Sequence, residues 1–285
     1  MMLIMKVGFM ADSGADIMKE EIERLDIKWL PVEIIYPSGK VIRDTVDIDI
    51  EDFYAQMQKE PEGRFFSNKL KPEEIAEAAD DLLKKNDYAL YIVMSSKMSG
   101  TYESAVKARE MIGPRLIVFD SKSISTGQAA LSLKAFEDIK QGKVDIDHLQ
   151  DYLLDLRRRL QFYFVLETLE YLMKGGRIGK AQYLVGSMLK IKPGLGVDDS
   201  GEIYSVEKIR GGKKRIIKFF ESLLRKYPPN VEEFPIQFVY GIPTDWDIAF
   251  QKWLDENGYK YTLRRSRPTT TIHGGPYSLG LAWFT

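Results

Sequence analysis

The stretch Tyr88-Ala89-Leu90-Tyr91-Ile92-Val93-Met94 is apolar without a break and gives way at once to Ser95-Ser96-Lys97-Met98-Ser99-Gly100-Thr101. A half-exposed strand would alternate apolar and polar residues. A continuous run of this length fits a strand covered on both faces, as in a parallel sheet. The polar turn leads into a helix-forming stretch that reaches about Met111. The same order recurs on either side. Lys6–Met10 leads through Ala11-Asp12-Ser13-Gly14 into a predicted helix over about Ala15–Leu25, and Leu116–Phe119 leads through Asp120-Ser121-Lys122-Ser123 into one over about Ile124–Lys140. Strands alternating with helices predict an α/β fold with a parallel, doubly wound N-terminal sheet.

This order bears on function. In open parallel sheets, ligands bind beyond the carboxyl ends of the strands. The three Ser/Asp turns belong at that edge, where helix N-termini offer unpaired N–H groups and partial positive charge to an anion. Seryl and threonyl hydroxyls can donate to a carboxylate without adding charge, which suits a buried mouth. The plainer reading of Ser99 and Thr101 is that they start the helix after the turn, and Asp12 and Ser13 are equally suited to capping the first one.

Between the repeats, Val32–Tyr36 reads as a strand and Pro37-Ser38-Gly39-Lys40 as a turn. The acidic run Asp47–Asp52 precedes a predicted helix over about Glu51–Lys59 and reads as an N-cap with an acidic first turn rather than a metal site. Arg64–Lys71 reads as a loop before a helix from Pro72 to about Lys85, with proline in its first turn.

A boundary is expected near Gly142–Leu160, giving an N-terminal domain over residues 1–158 and a C-terminal mixed-sheet α/β domain over 159–285. In the second part, Gln161–Leu166 reads as a strand and Glu167–Lys174 as a short helix ended by Gly175-Gly176. Ile178–Ile191 reads as an amphipathic helix, and Val197–Ile209 as a hairpin around Asp198-Asp199-Ser200-Gly201. Then follow a helix Lys213–Lys226, a strand Ile236–Tyr240, a helix Thr244–Asn257, a strand Tyr259–Arg264 and a last strand near Leu279–Phe284. Phe162, Phe164, Leu184, Met188 and Leu189 supply material for an apolar slot, or simply for a core.

Composition narrows the chemistry. The 285 residues carry a net charge of -1, with 44% hydrophobic and 29% charged residues and no long single-sign run, which argues against a nucleic acid or membrane surface held by bulk charge. There is no cysteine, so disulfides, thiolate metal sites and a cysteine nucleophile are excluded. The opening MMLIMKVGFM lacks a basic leader and cleavage site, and no apolar run approaches the ~20 residues of a spanning helix. A cytoplasmic protein without stable membrane insertion is expected.

Enzyme motifs are largely wanting. G-x-G-x-x-G after a strand, the P-loop and G-x-S-x-G are absent, and Gly175-Gly176-Arg177-Ile178-Gly179-Lys180 has neither the P-loop spacing nor a strand before it. The two histidines, His148 and His273, are too few for a zinc site without several carboxylates. His273 with Ser95 or Ser96 leaves open a Ser/His acyl-ester hydrolase.

Several segments resemble the DegV family. Asp12-Ser13-Gly14-Ala15-Asp16-Ile17 is similar to its opening Asp-Ser-x-x-Asp-Leu, and Ser95–Tyr102 to its Ser-Ser-x-x-Ser-Gly-Thr-Tyr signature. Leu169–Ile178 resembles its Leu-x-x-Leu-x-x-Gly-Gly-Arg-Ile segment. Lys192-Pro193, Gly201 and Lys208-Ile209-Arg210 continue the pattern, and His273-Gly274-Gly275-Pro276 is similar to its C-terminal His-x-Gly-Pro-Gly, with Tyr277 in place of the second glycine. The matches run in order from about residue 5 to residue 280.

The resemblance implies a two-domain carrier that buries one long-chain fatty acid and presents its carboxylate to a separate ATP-dependent fatty acid kinase subunit, yielding acyl phosphate for phospholipid synthesis. It implies no cofactor, metal or nucleotide site and no catalytic residue in this chain. Lipid transport or sensing without a kinase is the alternative. Ser95 or Ser96 maps to the serine that meets the carboxylate, and His273 to a donor or carboxylate partner. The family's Thr-Ser-Gln-Pro-Ser-Pro loop falls on Ser67–Pro72, where Ser67 keeps the hydroxyl and Asn68 and Lys69 depart from the pattern. Ser13 and Asn68 are further ligand-binding candidates, Arg210 matches an arginine that faces the partner, and Gly175-Gly176-Arg177 is expected to be a structural turn.

Overall fold

The computed structural model describes residues 5–60, 63–187 and 191–285. In chain order these form β1 (Val7–Asp12), α1 (Lys19–Leu25), β2 (Ile27–Leu30), β3 (Glu33–Ile35), β4 (Val41–Arg43), α2 (Ile50–Lys59), β5 (Phe66–Ser67), α3 (Pro72–Leu83), β6 (Tyr88–Val93), α4 (Thr101–Ile112), β7 (Leu116–Asp120), α5 (Ser125–Lys140) and α6 (Leu149–Arg159). The second part contributes β8 (Leu160–Leu166), α7 (Glu170–Gly175), β9 (Lys192–Val197), β10 (Ile203–Ile209), α8 (Lys213–Lys226), β11 (Ile236–Tyr240), α9 (Asp245–Glu256), β12 (Tyr261–Arg265), α10 (Pro268–Gly274) and β13 (Ser278–Phe284). Ile146–His148 and Gly179–Ser187 take 3₁₀ geometry, so the helix expected over Ile178–Ile191 is a tighter one where it is described.

A four-stranded sheet in the order β2-β1-β6-β7 is parallel throughout, as the apolar runs predict. A six-stranded mixed sheet has the order β10-β9-β8-β13-β11-β12, with only β11 and β12 parallel. A small antiparallel sheet, β4-β3-β5, lies apart from both.

Strand alternation sends successive side chains to opposite faces, and each large sheet is covered on both. On β6, Ala89, Tyr91 and Val93 join the core under α3 and α4, whereas Leu90 and Ile92 face α5. On β8, Tyr163 and Val165 pack under α8 and α9, whereas Phe162, Phe164 and Leu166 face α5 from the other side. The result is five layers, helix–sheet–helix–sheet–helix, with α5 in the middle. α5 is buried nearly all round, and Ala129, Ala130 and Ala135 let both sheets approach it closely.

Several local expectations change. The helix expected from Ala15 starts at Lys19. Residues 15–17 are held by tertiary bonds instead: the Asp16 carboxylate accepts from the Ser125 hydroxyl, from Arg267 N at 2.8 Å and from Thr270 Oγ1 at 3.1 Å, while Ile17 O accepts from the Arg267 guanidinium. β2 escapes a periodicity reading because Lys28 interrupts its four residues. Part of the loop expected over Arg64–Lys71 pairs with β3 as β5, which no local pattern could announce. The acidic run is a cap: Asp49 accepts from Glu51 N at 2.8 Å and Asp47 pairs with Arg43 at 2.9 Å. No helix among the described residues is long and apolar enough to cross a membrane.

Candidate functional site

A cavity of about 320 Å³ opens in the middle layer, between the start of α5 and the mixed sheet. Its size falls within the usual range for small-molecule sites, about 300–1,000 Å³. Its interior wall is apolar, with Phe162, Phe164 and Leu166 of β8, Val239 of β11, Leu279 of β13 and Ile124 before α5. Met94 and Met98 add soft, adaptable surface. Its mouth is polar, with Ser67, Asn68, Lys69, Ser99, Thr101, Arg177 and His273.

Three distant segments build that mouth. Pro268 at the first helical position and the extended Arg267 before it start α10, which ends at Gly274 and so carries His273 in its last turn. β5 brings Ser67 opposite, with its Oγ 3.4 Å from His273 Nε2. α7 ends with Gly176 in the left-handed region at φ +69°, which turns the chain back toward the cavity. Arg177 is then fixed by two carbonyls: its Nε donates to Met98 O at 3.1 Å and its Nη1 to Gly175 O at 2.6 Å. That leaves guanidinium N–H capacity at the mouth.

Burial, with a smaller contribution from the Arg177 charge, lowers the pKa of His273 to about 4. The imidazole is therefore neutral at physiological pH and holds one N–H. Its Nδ1 is buried without a partner among the described residues, while Nε2 faces Ser67 and the mouth. A neutral imidazole, a hydroxyl and a guanidinium together can hold a carboxylate at the edge of an apolar slot.

Another polar patch of the wall belongs to Ser125, Ser266, Thr269 and Thr270. Their hydroxyls are occupied from behind. Thr269 donates from both N, at 2.7 Å, and Oγ1 to Asp44, and Ser125 and Thr270 donate to Asp16. Burial raises the carboxyls of Asp12 and Asp16 above the usual range and brings Asp44 to about 6.

The Ser95–Thr101 turn divides differently from expectation. Ser95 is fully buried, donates from Oγ to Gly201 O at 2.8 Å and accepts from Lys97 N at 3.2 Å. Ser96 Oγ accepts from Lys122 Nζ at 3.0 Å. Neither serine lines the cavity, whereas Ser99 and Thr101, joined to each other at 3.0 Å, do. Neither is bonded to His273, so the Ser/His pairing of a hydrolase is replaced by Ser67 with His273. Ser13 is buried between Thr269 Oγ1 at 3.0 Å and Val32 N at 2.9 Å, outside the cavity lining. Asn68 lines the mouth and donates to Glu33 at 2.8 Å. Arg210 is exposed just beyond β10 and is not among the cavity-lining residues. Of the apolar candidates, Phe162 and Phe164 line the cavity, and Leu184 is buried in the core outside the lining. Met188 and Leu189 lie outside the described residues.

A family model described as "Uncharacterised protein, DegV family" matches residues 6–285. The chain belongs to the DegV family. A DegV domain-containing protein of Clostridium acetobutylicum is 33% identical over 284 residues, covering 98% of this chain and 99% of the relative. One of Staphylococcus aureus is 30% identical over 285 residues, covering 98% and 97%. A solved structure described as fatty acid binding of a DegV family protein from Thermus thermophilus has TM-score 0.89 and 25% identity, over 99% of this chain and 100% of that one. DegV of Bacillus subtilis, described as a fatty acid binding protein, has TM-score 0.83 and 27% identity, again over 99% and 100%.

Within this DegV chain, sequence reasoning missed Arg177 and Lys69 as lining residues. The Gly-Gly-Arg segment reads as a turn because its purpose depends on where α7 ends. Lys69 reads only as a departure from a pattern. Tyr277, at the position of the motif's second glycine, does not have a positive φ, and its hydroxyl accepts from Gln58 at 3.0 Å.

Proposed function

We propose that this chain binds one long-chain fatty acid, buries the acyl tail between α5 and the mixed sheet, and holds the carboxylate at the mouth by Ser67, His273 and Arg177. The observation that carries this reading is a cavity with an apolar interior and a mouth of hydroxyl, neutral imidazole and guanidinium. The fatty-acid-binding descriptions of the Thermus thermophilus and Bacillus subtilis relatives support it. In this reading residues 1–158 supply the hydroxyl-bearing turns, and residues 159–285 supply most of the wall around the chain. Ser95 and Ser96 hold the turn that presents Ser99 and Thr101.

The protein acts as a carrier, not an enzyme. It presents the carboxylate to a separate ATP-dependent kinase subunit that forms the acyl phosphate, with Arg210 on the partner-facing side. The mouth adjoins a surface hollow lined by Ser96, Lys97, Tyr102 and Glu103, which shares Ser99 and Arg177 with the cavity, so a partner has a route to the carboxylate. Native mass spectrometry of the protein as purified tests binding. A bound long-chain fatty acid is expected, and failure to retain one, or to take one up on addition, overturns the reading. Addition of a fatty acid kinase subunit and ATP to the loaded protein tests presentation. Acyl phosphate is expected, whereas stable retention of the free acid would indicate transport or sensing.

A further inference from the structure

The register of β8 against β13 gives the cavity a direction. Leu166 pairs with Ser278, Phe164 with Gly280, and Phe162 with Ala282. Leu166 and Ser278 line the cavity next to Gly274, which follows His273 at the mouth. Phe164 and Gly280 line it further along, and Phe162 is the last residue of β8 that does. Beyond it, Phe284 belongs to closed core, packed edge-on against Phe234 with ring centroids 5.8 Å apart.

Phe162 is also where the middle layer closes. A β-carbon on Gly127 of α5 would lie 2.9 Å from two atoms of its ring, so the ring reaches from the sheet across to the helix. The ring also stacks on Phe164, with ring centroids 5.2 Å apart and an angle of 25°. Gly280 opens the space beside the pair, because a β-carbon there would lie 3.2 Å from Phe164 Cβ and 3.4 Å from Phe162 Cε2. Gly127 on α5 thus leaves room for the Phe162 ring, and Gly280 on β13 for the Phe164 side chain beside it.

We infer that Phe162 is the end wall of the acyl slot and sets the longest chain this protein accepts. The inference rests on the acyl-binding reading above. It assigns to Phe162 a role distinct from the carboxylate grip: it selects length without touching the head group. A methylene that has no room in an apolar pocket changes binding about 10-fold or more. The length profile of the native protein should therefore end sharply.

The test is competition for an equimolar ladder of saturated fatty acids in steps of two carbons, read by native mass spectrometry on delipidated protein. The native chain should show a cutoff. Phe162→Ala should move it to longer acids, raising the bound ratio of the first excluded acid to the last accepted one by about 10-fold or more. Phe162→Leu, which keeps more of the wall and is safer for folding, should move the ratio the same way by less. Phe284→Leu removes an aromatic ring of the adjacent core and should leave the profile unchanged. One and the same profile for the native chain and the Phe162 variants overturns the end wall while leaving acyl binding intact. So does an equal shift in Phe284→Leu. If the native chain takes up no acid at all, the acyl reading itself fails, which is a separate outcome.

Discussion

Gly175 stands directly against His273: a β-carbon at position 175 would lie 2.3 Å from His273 Nδ1. The two residues are brought together from α7 and α10, which pack on each other. The glycine of the Gly-Gly-Arg turn is thus required by a histidine in a different segment. It also places the Arg177 guanidinium through its own carbonyl.

Gly175→Ala should therefore displace the imidazole rather than unfold the chain. We expect fatty acid affinity to fall about 10-fold or more, the size of one lost charge-assisted bond. The midpoint of urea unfolding should change little. Isothermal titration with a solubilised fatty acid, beside urea denaturation, checks both. Unchanged affinity would remove His273 from the grip.

Arg177→Ala should weaken binding more than Arg177→Lys, and both should weaken it. The alanine loses a charged donor to the carboxylate, worth about 1.5–3 kcal/mol, or roughly 10- to 100-fold. The lysine keeps a charge but cannot meet Met98 O and Gly175 O while also reaching the ligand. The same titration, run on both variants, orders them.

The serines should separate by effect. Ser95→Ala breaks the buried bond to Gly201 O and is expected to cost about 1 kcal/mol of stability with ligand affinity retained. Ser67→Ala should lower ligand affinity with stability nearly unchanged, since its hydroxyl faces the mouth. The reverse pattern would return the carboxylate to Ser95. Thermal unfolding without ligand and titration with it distinguish the two.

His273 gives the chain a dependence on pH. Its folded pKa of about 4 lies below the ordinary 6.5, so its contribution to stability is present above pH 6.5 and lost as pH falls toward 4. By pH 5 the loss is on the order of 2 kcal/mol. Asp44 works the other way. Burial raises its folded pKa to about 6, so its contribution is present at low pH and fades as pH rises through 6. Comparison of the native chain with His273→Gln cancels Asp44: the native chain should lose more stability than the variant between pH 7 and pH 5. Anion binding should raise the imidazole pKa, visible as an upward shift of its NMR titration on loading with fatty acid.

A buried ion pair joins α1 to β12. Arg264 on β12 is buried and pairs with Glu21 on α1 at 2.5 and 2.7 Å, with Gln237 Oε1 2.8 Å from its Nε. Glu21→Gln leaves the guanidinium without its counter-charge and should cost about 3–5 kcal/mol. A loss under 1 kcal/mol in urea unfolding would show that solvent reaches the pair.

Much of this protein was legible in its sequence. Continuous apolar runs such as Tyr88–Met94 specified a parallel sheet, because a strand buried on both faces has no polar side to show. Asp49 and Thr244 cap their helices as local chemistry requires. The ordered motifs pointed to the DegV family. Tertiary structure alone decided which hydroxyls line the cavity. Ser95, Ser96, Ser99 and Thr101 are equivalent hydroxyls in sequence, yet Ser95 donates to Gly201 O, 106 residues away, and Ser96 Oγ accepts from Lys122 Nζ, while Ser99 and Thr101 line the cavity. Ser67 joins His273 across 206 residues, through a two-residue strand with no signal of its own. A hydroxyl's local sequence states that it can donate. Which partner it finds depends on what folding brings within hydrogen-bond reach, and those partners come from other segments.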